Sequence, residues 1–204
     1  SNRRTALGLM SAASGKQFHI GTHERSDLTE AYQNTLANWN LFLFDGFGSF
    51  DPDNILSKIR YLAAGLDCRV VFLDHLSILL SGLDGDERKM IDNTMTKLRS
   101  LCEETGISMF LVSHLRRPQG DKGHEDGAKV SLGQLRGSHS ISQLSDAVIG
   151  LERDQQSGPE HADTTVRILK NRYSGETGIA CVLNYDKEKC KFNETKTFDA
   201  STDF

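Results

Sequence analysis

The chain has 204 residues, enough for one domain with a hydrophobic core, and its 37% hydrophobic and 25% charged content is ordinary for a soluble globular protein. A net charge of -4 excludes a globally basic nucleic-acid binder, so any such contact must come from a local loop. Four scattered cysteines disfavour a zinc ribbon or a disulfide framework, and no apolar run approaches the roughly 20 residues that span a bilayer. We therefore expect a cytoplasmic protein without a membrane segment.

The N-terminal segment, residues 1–40, is polar and gives a weak pattern, with one helix predicted over residues 27–37. His19 and His23 have the i, i+4 spacing that a metal site uses on a helix. Neither has a nearby Cys or acidic residue at suitable spacing, so ordinary surface histidines are the favoured interpretation.

From residue 41 onwards, short apolar runs alternate with amphipathic segments. Strands are predicted at 41–44, 69–74 and 107–113. One helix is predicted to start at Asp51-Pro52, and a second helix is predicted over about 86–103. Strand and helix alternating at this spacing predict parallel crossovers, hence an α/β sheet covered on both faces.

The pattern changes after His114. A loop rich in glycine and charge occupies residues 115–130. It is followed by a short helix near 138–145 and by strands at 146–152, 164–170 and 179–185. The glycine-bearing connection between the last two strands predicts an antiparallel hairpin at the sheet edge. Residues 191–204 contain few apolar side chains and are predicted to be a flexible acidic tail that follows a core at 41–190.

Polar residues lie at the carboxyl ends of three of the predicted parallel strands. Asp45, Asp74 and His114 stand at carboxyl ends, where open parallel sheets bind ligands. Asp74 suits Mg²⁺ held through water, and His114 suits a hydrogen bond to a terminal phosphate. Taken singly, each residue is also typical of an ordinary cap or turn.

A resemblance to the RecA-like hexameric helicases of the DnaB type is carried by ordered segments: Val70–Ser77, Asp86–Asp92, Ser113–Leu115, Leu135–Ser138, Leu144–Asp146, Val166–Arg172 and Gly175–Gly178. The likeness is strongest to the primase-helicases of short-tailed bacteriophages and extends more distantly to mitochondrial Twinkle. It covers about residues 40–190 and implies a RecA-like P-loop NTPase core of mostly parallel sheet, flanked by helices, with a C-terminal antiparallel hairpin.

The resemblance implies roles for single residues. Asp74 corresponds to the Walker B acid that positions Mg²⁺, and His114 to the polar sensor beside the γ-phosphate. Lys170 and Arg172 correspond to the lysine and arginine finger that reach a neighbouring subunit's nucleotide, where a cation stabilises the charge of phosphoryl transfer. From the residues alone, Lys170 and Arg172 are equally typical of solvated charges at a strand edge.

Two further sets follow from the resemblance. Arg153 and Tyr185 correspond to residues that stack on the nucleotide base, although ordinary core packing also explains a tyrosine there. The loop at 115–130 and the Arg-Gly after it correspond to a channel-facing segment that contacts single-stranded DNA through Arg116, Arg117, Lys122, Lys129, Arg136 and Gly137. The acids within this loop offset much of its charge, so a merely mobile polar loop is the alternative.

The sequence also departs from the family pattern. It contains no G-x-x-x-x-G-K-S/T phosphate loop, because Ser14-Gly15-Lys16 is followed by Gln17 and lacks the preceding glycine. The strand carrying the water-activating glutamate is likewise not found. We therefore expect the C-terminal part of a helicase domain, inactive or nearly so by itself, whose full-length parent uses Mg²⁺ and ATP or dTTP.

The parent protein is expected to be a phage replicative DNA helicase in the bacterial cytoplasm, forming a hexameric ring that moves 5′ to 3′ on single-stranded DNA and unwinds duplexes. The resemblance also implies that a tail ending in Phe204 docks on the replicative polymerase. Two alternatives remain open at this stage: a RecA/RadA-type recombinase ATPase, and a non-catalytic module that binds DNA or polymerase.

Overall fold

The computed structural model describes residues 1–44, 52–80, 85–118, 123–135, 139–156, 158 and 163–197. Within these ranges the helices are α1 (Asn2–Ser14), α2 (Arg25–Asn34), α3 (Pro52–Leu66), α4 (Leu76–Leu80), α5 (Glu87–Thr105) and α6 (His139–Leu144). The strands are β1 (Val70–Leu73), β2 (Ser108–Leu111), β3 (Ala147–Arg153), β4 (Thr164–Asn171), β5 (Gly178–Asp186) and β6 (Lys191–Thr197). Short 3-10 helices lie at Leu36–Asn38 and Leu132–Gln134.

Strands β1 and β2 form a parallel pair, with Val70 opposite Ser108 and Leu73 opposite Leu111. The predicted crossover is confirmed, since α5 connects the two strands together with the short α4. Asp86 caps α5 by accepting a hydrogen bond from the Arg88 amide at 3.0 Å, and Gly106 ends the helix in the left-handed conformation. The core lies on one face of the pair and contains Leu56, Ile59, Leu76, Leu79, Leu80, Ile91, Met95, Leu98, Leu101, Ile107 and Ile141.

The other face of this pair is exposed in the described structure, although burial on both faces was predicted. Phe72 is 75% exposed and Phe110 is 51% exposed, and their rings stack with centroids 4.8 Å apart. The predicted strand at 41–44 does not form. Asn2 instead donates its side-chain amide to the Leu43 carbonyl at 3.2 Å. An apolar run alone does not make a strand, because its backbone groups also need a neighbouring strand as partner.

The second sheet is antiparallel, in the order β3-β4-β5-β6. The predicted antiparallel hairpin of β4 and β5 is confirmed, but its predicted position at the sheet edge is wrong, because β3 and β6 pair with its two outer sides. Residues 191–197, however, form a strand rather than the start of a flexible tail. The Asp186 side chain accepts hydrogen bonds from the amides of Glu188 and Lys189, each at 3.0 Å, and so forms the turn that returns the chain along β5. Residues 198–204 lie outside the described residues.

The N-terminal helices form a small separate cluster around Met10, Phe18, Ala31 and Leu36. Helix α2 lies at Arg25–Asn34, a few residues before the predicted position, and ends before the 3-10 turn. Gly15 ends α1 with a left-handed φ of 70°. The Ser14-Gly15-Lys16 sequence is therefore a helix terminus.

The two N-terminal histidines lie in the connection between α1 and α2, so they do not have a helical relationship. His19 Nδ1 lies 3.0 Å from Ser11 Oγ, and His23 Nε2 lies 2.8 Å from the Ile20 carbonyl. Across the described ranges, no group of three or more His, Cys, Asp or Glu side chains is arranged to hold a metal ion. Among the described helices, none combines the length and the apolar character required to cross a membrane.

Candidate functional site at the carboxyl ends of the parallel strands

Asp74 and His114 lie beyond the carboxyl ends of adjacent parallel strands. Asp74 follows β1 directly, and His114 follows the end of β2 by three residues. The Val112 amide donates to the Leu73 carbonyl at 3.0 Å, so the backbone pairing continues past the strands toward both residues. The two side chains therefore lie at the same edge of the sheet. Asp45 lies outside the described residues.

His75 is a member of this edge that sequence reasoning missed. Its ring meets the His114 ring edge to face, with centroids 4.2 Å apart. His75 is half-buried and its Nδ1 atom has no hydrogen-bond partner among the described residues, whereas His114 is exposed. The contact limits the orientations that the His114 ring can adopt. The sequence did contain a signal for this role, because His75 immediately follows Asp74 at the end of the same strand.

Asp74 is exposed, and no described residue forms a hydrogen bond or an ion pair with its carboxylate. Magnesium in nucleotide sites is held by one or two carboxylates together with waters and substrate phosphates, so a complete protein cage is not required. The available carboxylate of Asp74 fits such a cation.

Lys170, on β4, donates hydrogen bonds to carbonyls of its own chain. Its Nζ atom lies 2.6 Å from the Ser142 oxygen, 3.2 Å from the Gln143 oxygen and 2.8 Å from the Ser145 oxygen. These carbonyls are at the C-terminus of α6, where a helix leaves acceptors unpaired. Burial lowers the pKa of Lys170, the charge of Arg172 lowers it further, and Asp146 opposes the change.

Arg172 contacts the same turn, because its guanidinium donates to the Gln143 carbonyl at 2.7 Å and pairs with Asp146 at 3.0 Å. Asp146 also binds Arg99 of α5 at 2.6 Å, so one carboxylate joins two arginines. Arg172 keeps 42% of its side chain exposed. Sequence reasoning missed Asp146, since its partners are distant along the chain.

Arg153 and Tyr185 share one face of the antiparallel sheet. Arg153 lies opposite Thr164, and Thr164 lies opposite Leu183, which is two residues from Tyr185 on β5. Directly paired residues point to the same face, as do residues two apart on one strand. Arg153 is exposed, whereas Tyr185 is half-buried and its ring lies 5.0 Å from that of Phe192.

The segment between β2 and α6 contains the residues expected to contact DNA. Arg116, Arg117 and Lys129 are exposed, whereas Lys122, Arg136 and Gly137 lie outside the described residues. Backbone pairing closes the base of the segment, because Leu115 and Leu135 form an antiparallel bridge and the Arg116 amide donates to the Gln134 carbonyl at 2.7 Å.

Glu152, on β3, is a buried charge that sequence reasoning missed. It is 8% exposed and accepts hydrogen bonds from Arg167 Nε at 2.7 Å, Arg167 Nη2 at 3.0 Å and the Val130 amide at 2.8 Å. Burial raises the pKa of Glu152, but these hydrogen bonds and the charges of Arg167 and Lys129 outweigh it, so the pKa is lowered overall. The sequence did contain a signal for this buried charge. In the alternation of β3, Glu152 lies on the same buried face as Val148 and Gly150, and a charge on a buried face requires a partner.

Residues 5–194 match the model of the DnaB-like helicase C terminal domain family. The chain is 42% identical over 160 residues to the DNA helicase/primase of Enterobacteria phage T3, a match covering 78% of this chain and 28% of the relative. It is 23% identical over 189 residues to a probable plasmid replicative DNA helicase of Chlamydia muridarum, covering 92% of this chain and 40% of the relative. A replicative DNA helicase DnaB of Mycobacterium intracellulare is 28% identical over 134 residues, covering 64% of this chain and 23% of the relative.

Among solved structures, a KaiC-like protein from Pyrococcus horikoshii is similar with a TM-score of 0.52 and 15% sequence identity. The match covers 72% of this chain and 58% of that one. At this identity the likeness concerns the fold alone. The chain spans less than half the length of the curated relatives it matches.

Proposed function

The chain belongs to the DnaB-like helicase C-terminal domain family and has a RecA-like fold, and we propose that it is part of a replicative DNA helicase of the phage primase-helicase type. In this proposal a longer protein couples NTP hydrolysis to 5′ to 3′ movement on single-stranded DNA and to duplex unwinding, in the cytoplasm of a bacterial host. The observation that carries the proposal is the position of Asp74 and His114 at one sheet edge within a chain of this family.

Asp74 is proposed to hold Mg²⁺ through water, beside the phosphates of ATP or dTTP. When bound, the cation neutralises phosphate charge. His114 is proposed to donate a hydrogen bond to the terminal phosphate, with His75 supporting its ring. An exposed imidazole and a carboxylate that has no partner among the described residues lie at one edge of the sheet, and they suit these two tasks.

Lys170 and Arg172 are proposed to contact the nucleotide of a neighbouring subunit in a hexameric ring. Both contact the turn after α6 in their own chain, so this role requires them to exchange carbonyl and carboxylate partners for phosphate oxygens. Arg172 is 42% exposed, whereas Lys170 is half-buried, so such an exchange of partners requires less rearrangement at Arg172. Arg153 and Tyr185, on one face of the antiparallel sheet, are proposed to contact the base.

Exposed Arg116, Arg117 and Lys129 are proposed to track the backbone of single-stranded DNA, together with Lys122, Arg136 and Gly137. A polymerase contact through the end at Phe204 remains a separate proposal. Because the 204-residue chain contains no G-x-x-x-x-G-K-S/T sequence, we expect it to hydrolyse NTP slowly or not at all when isolated.

A chimera tests the proposed function. Residues 5–194 replace the corresponding segment of the phage T3 helicase/primase, and unwinding is measured on forked DNA with either a 5′ or a 3′ loading tail. We expect NTP-dependent unwinding that requires the 5′ tail. The Asp74→Asn chimera should lose hydrolysis by about a hundredfold or more, because this substitution removes a metal-binding charge. Glu104→Gln, at an exposed ion pair, is the matched control that should leave hydrolysis intact.

The decisive chimera is one that is soluble and retains the T3 protein's oligomeric state. If it binds nucleotide but shows neither DNA-stimulated hydrolysis nor unwinding, the helicase proposal is wrong. If hydrolysis persists unchanged in Asp74→Asn, the assignment of the metal-binding acid is wrong.

A further inference from the structure

Glu152 joins two elements that are distant along the chain. Its carboxylate accepts hydrogen bonds from Nε and Nη2 of Arg167 on β4 and from the amide of Val130, which belongs to the segment that precedes α6. Arg167 is itself only 17% exposed, so the three groups form a nearly water-free junction. Hydrogen bonds to a buried charge are stronger than exposed ones and expensive to lose.

Val130 packs directly over β3. The side chain of Val130 is buried, and a Cβ atom added at Gly150 would lie 3.3 Å from the Val130 Cβ atom. Glycine at position 150 thus lets the segment lie close against the strand. The hydrogen bond between Glu152 and the Val130 amide fixes the position of segment 123–135 along β3. The close approach of Val130 to Gly150 fixes the distance of this segment from the sheet.

A second attachment lies just beyond the end of β3. Asp126 and Asp154 form an antiparallel bridge, and the Gln155 amide donates to the Glu125 carbonyl at 2.8 Å. The segment is therefore tied to the chain at Glu152 and again at Asp154. Arg153 is the single residue between these two attachments.

Alternation along β3 places Glu152 and Arg153 on opposite faces. Glu152 faces the segment that carries Lys129, whereas Arg153 is on the exposed face shared with Tyr185 in the sheet register. A shift of the segment therefore moves the backbone of Arg153 with it.

We propose that Glu152 is a positioning residue that holds segment 123–135 and Arg153 as one unit, so that single-stranded DNA on the segment and a nucleotide base at Arg153 influence each other. The inference rests on the proposed function, because DNA and nucleotide are the ligands assigned there. Neither ligand contacts Glu152, which acts through Val130 on one face and through the β3 backbone on the other.

The test uses the full 204-residue chain and the paired substitution Glu152→Met with Arg167→Met. Replacing both members of a buried ion pair by apolar side chains of similar size leaves overall stability nearly unchanged, but it removes the acceptor of the Val130 amide. We expect hydrogen exchange at Val130 to become about tenfold faster, while α3 and α5 keep their protection. The Glu152→Gln variant retains an acceptor for the Val130 amide, so exchange at Val130, measured relative to that of α3 and α5, should be slower than in the paired variant. Glu104→Gln should alter nothing in this segment.

The second readout is the side-chain NεH signal of Arg153 in the NMR spectrum during titration with oligo-dT. In the wild type this signal should shift as DNA binds. In the paired variant it should remain unshifted, although oligo-dT still binds through Arg117 and Lys129.

The outcomes separate the two proposals. Unchanged exchange at Val130 in the paired variant overturns the positioning role of Glu152. Equal Arg153 shifts in both proteins overturn the mutual influence of the two ligands. If oligo-dT fails to bind the wild-type chain, the assignment of the DNA-binding residues is wrong, and so is the mutual influence of DNA and nucleotide. The hydrogen-exchange data at Val130 still decide whether Glu152 is a positioning residue.

Discussion

The Nζ atom of Lys170 lies 2.8 Å from the carbonyl oxygen of Ser145, so a cation proposed to serve a neighbouring subunit is bound at the end of a helix in its own chain. In the isolated chain it therefore has a structural role that can be measured without nucleotide.

Replacing Lys170 with Met should destabilise the chain. The substitution removes the Lys170 donor from the carbonyls of Ser142 and Ser145, whereas the Gln143 carbonyl keeps its hydrogen bond from Arg172. We expect the free energy of unfolding to fall by about 1–3 kcal/mol. Denaturant unfolding measures this change. Lys170→Arg retains donors and should cost less. A Lys170→Met protein as stable as the wild type would show that these contacts contribute nothing.

Asp146 should matter more than a typical surface acid, because it binds both Arg99 and Arg172 and is only 32% exposed. We expect Asp146→Asn to lower the free energy of unfolding by about 1 kcal/mol. Glu103→Gln is the matched control, because Arg99 is the one partner of Glu103 within the described part of the chain and Glu103 is 65% exposed. This substitution should cost less than about 0.5 kcal/mol. Equal effects of the two substitutions would contradict the shared role of Asp146.

Stability should depend on pH through Glu152. Its pKa in the folded chain lies below the ordinary value of 4.5, so its stabilising contribution is complete above that value and disappears as the pH falls through the lower folded-state pKa. At about pH 7, Glu152→Gln should cost about 1–3 kcal/mol, because a buried arginine loses its charged partner. The difference between the two proteins should shrink as the pH falls below 4.5.

Denaturant unfolding of both proteins at about pH 7 and about pH 3 isolates this effect, since the other carboxyl groups titrate equally in each. A stability difference that stays constant over this range would exclude Glu152 as the titrating group.

The exposed aromatic pair on the parallel strands should promote self-association. Phe72→Thr removes the more exposed ring of the pair while keeping a residue that favours strands, at a cost of about 0.5–1.5 kcal/mol from the lost stacking contact. We expect weaker light scattering at high protein concentration. Phe192→Thr, on β6, removes a ring of comparable exposure elsewhere and serves as the control. Equal scattering by both variants would remove the special role of this face.

Local pattern predicted the parts of the fold that depend on local forces. The carboxyl-end rule placed Asp74 and His114 from two apolar runs, because parallel strands joined by a helix must end at the same edge. The helices α3 and α5 were predicted from their apolar stripes, and α3 also from the Pro at its start.

The structural features that the sequence did not predict depend on partners far along the chain. The run at 41–44 is as apolar as a strand, but its hydrogen bonds go to Asn2 and Trp39. Strand β6 has only Phe192 as a large apolar residue, and its pairing depends on the turn at Asp186. The acceptors of Lys170 lie 25 to 28 residues away, so no local pattern indicated that it binds within its own chain.

The alternation of β3 has a consequence for how this protein can vary. A substitution within Ala147–Arg153 changes the contacts of one side chain, whereas an insertion or deletion of a single residue earlier in the strand exchanges the faces of Glu152 and Arg153 together. We therefore expect functional variants to conserve the length of this strand more strictly than the identity of its residues.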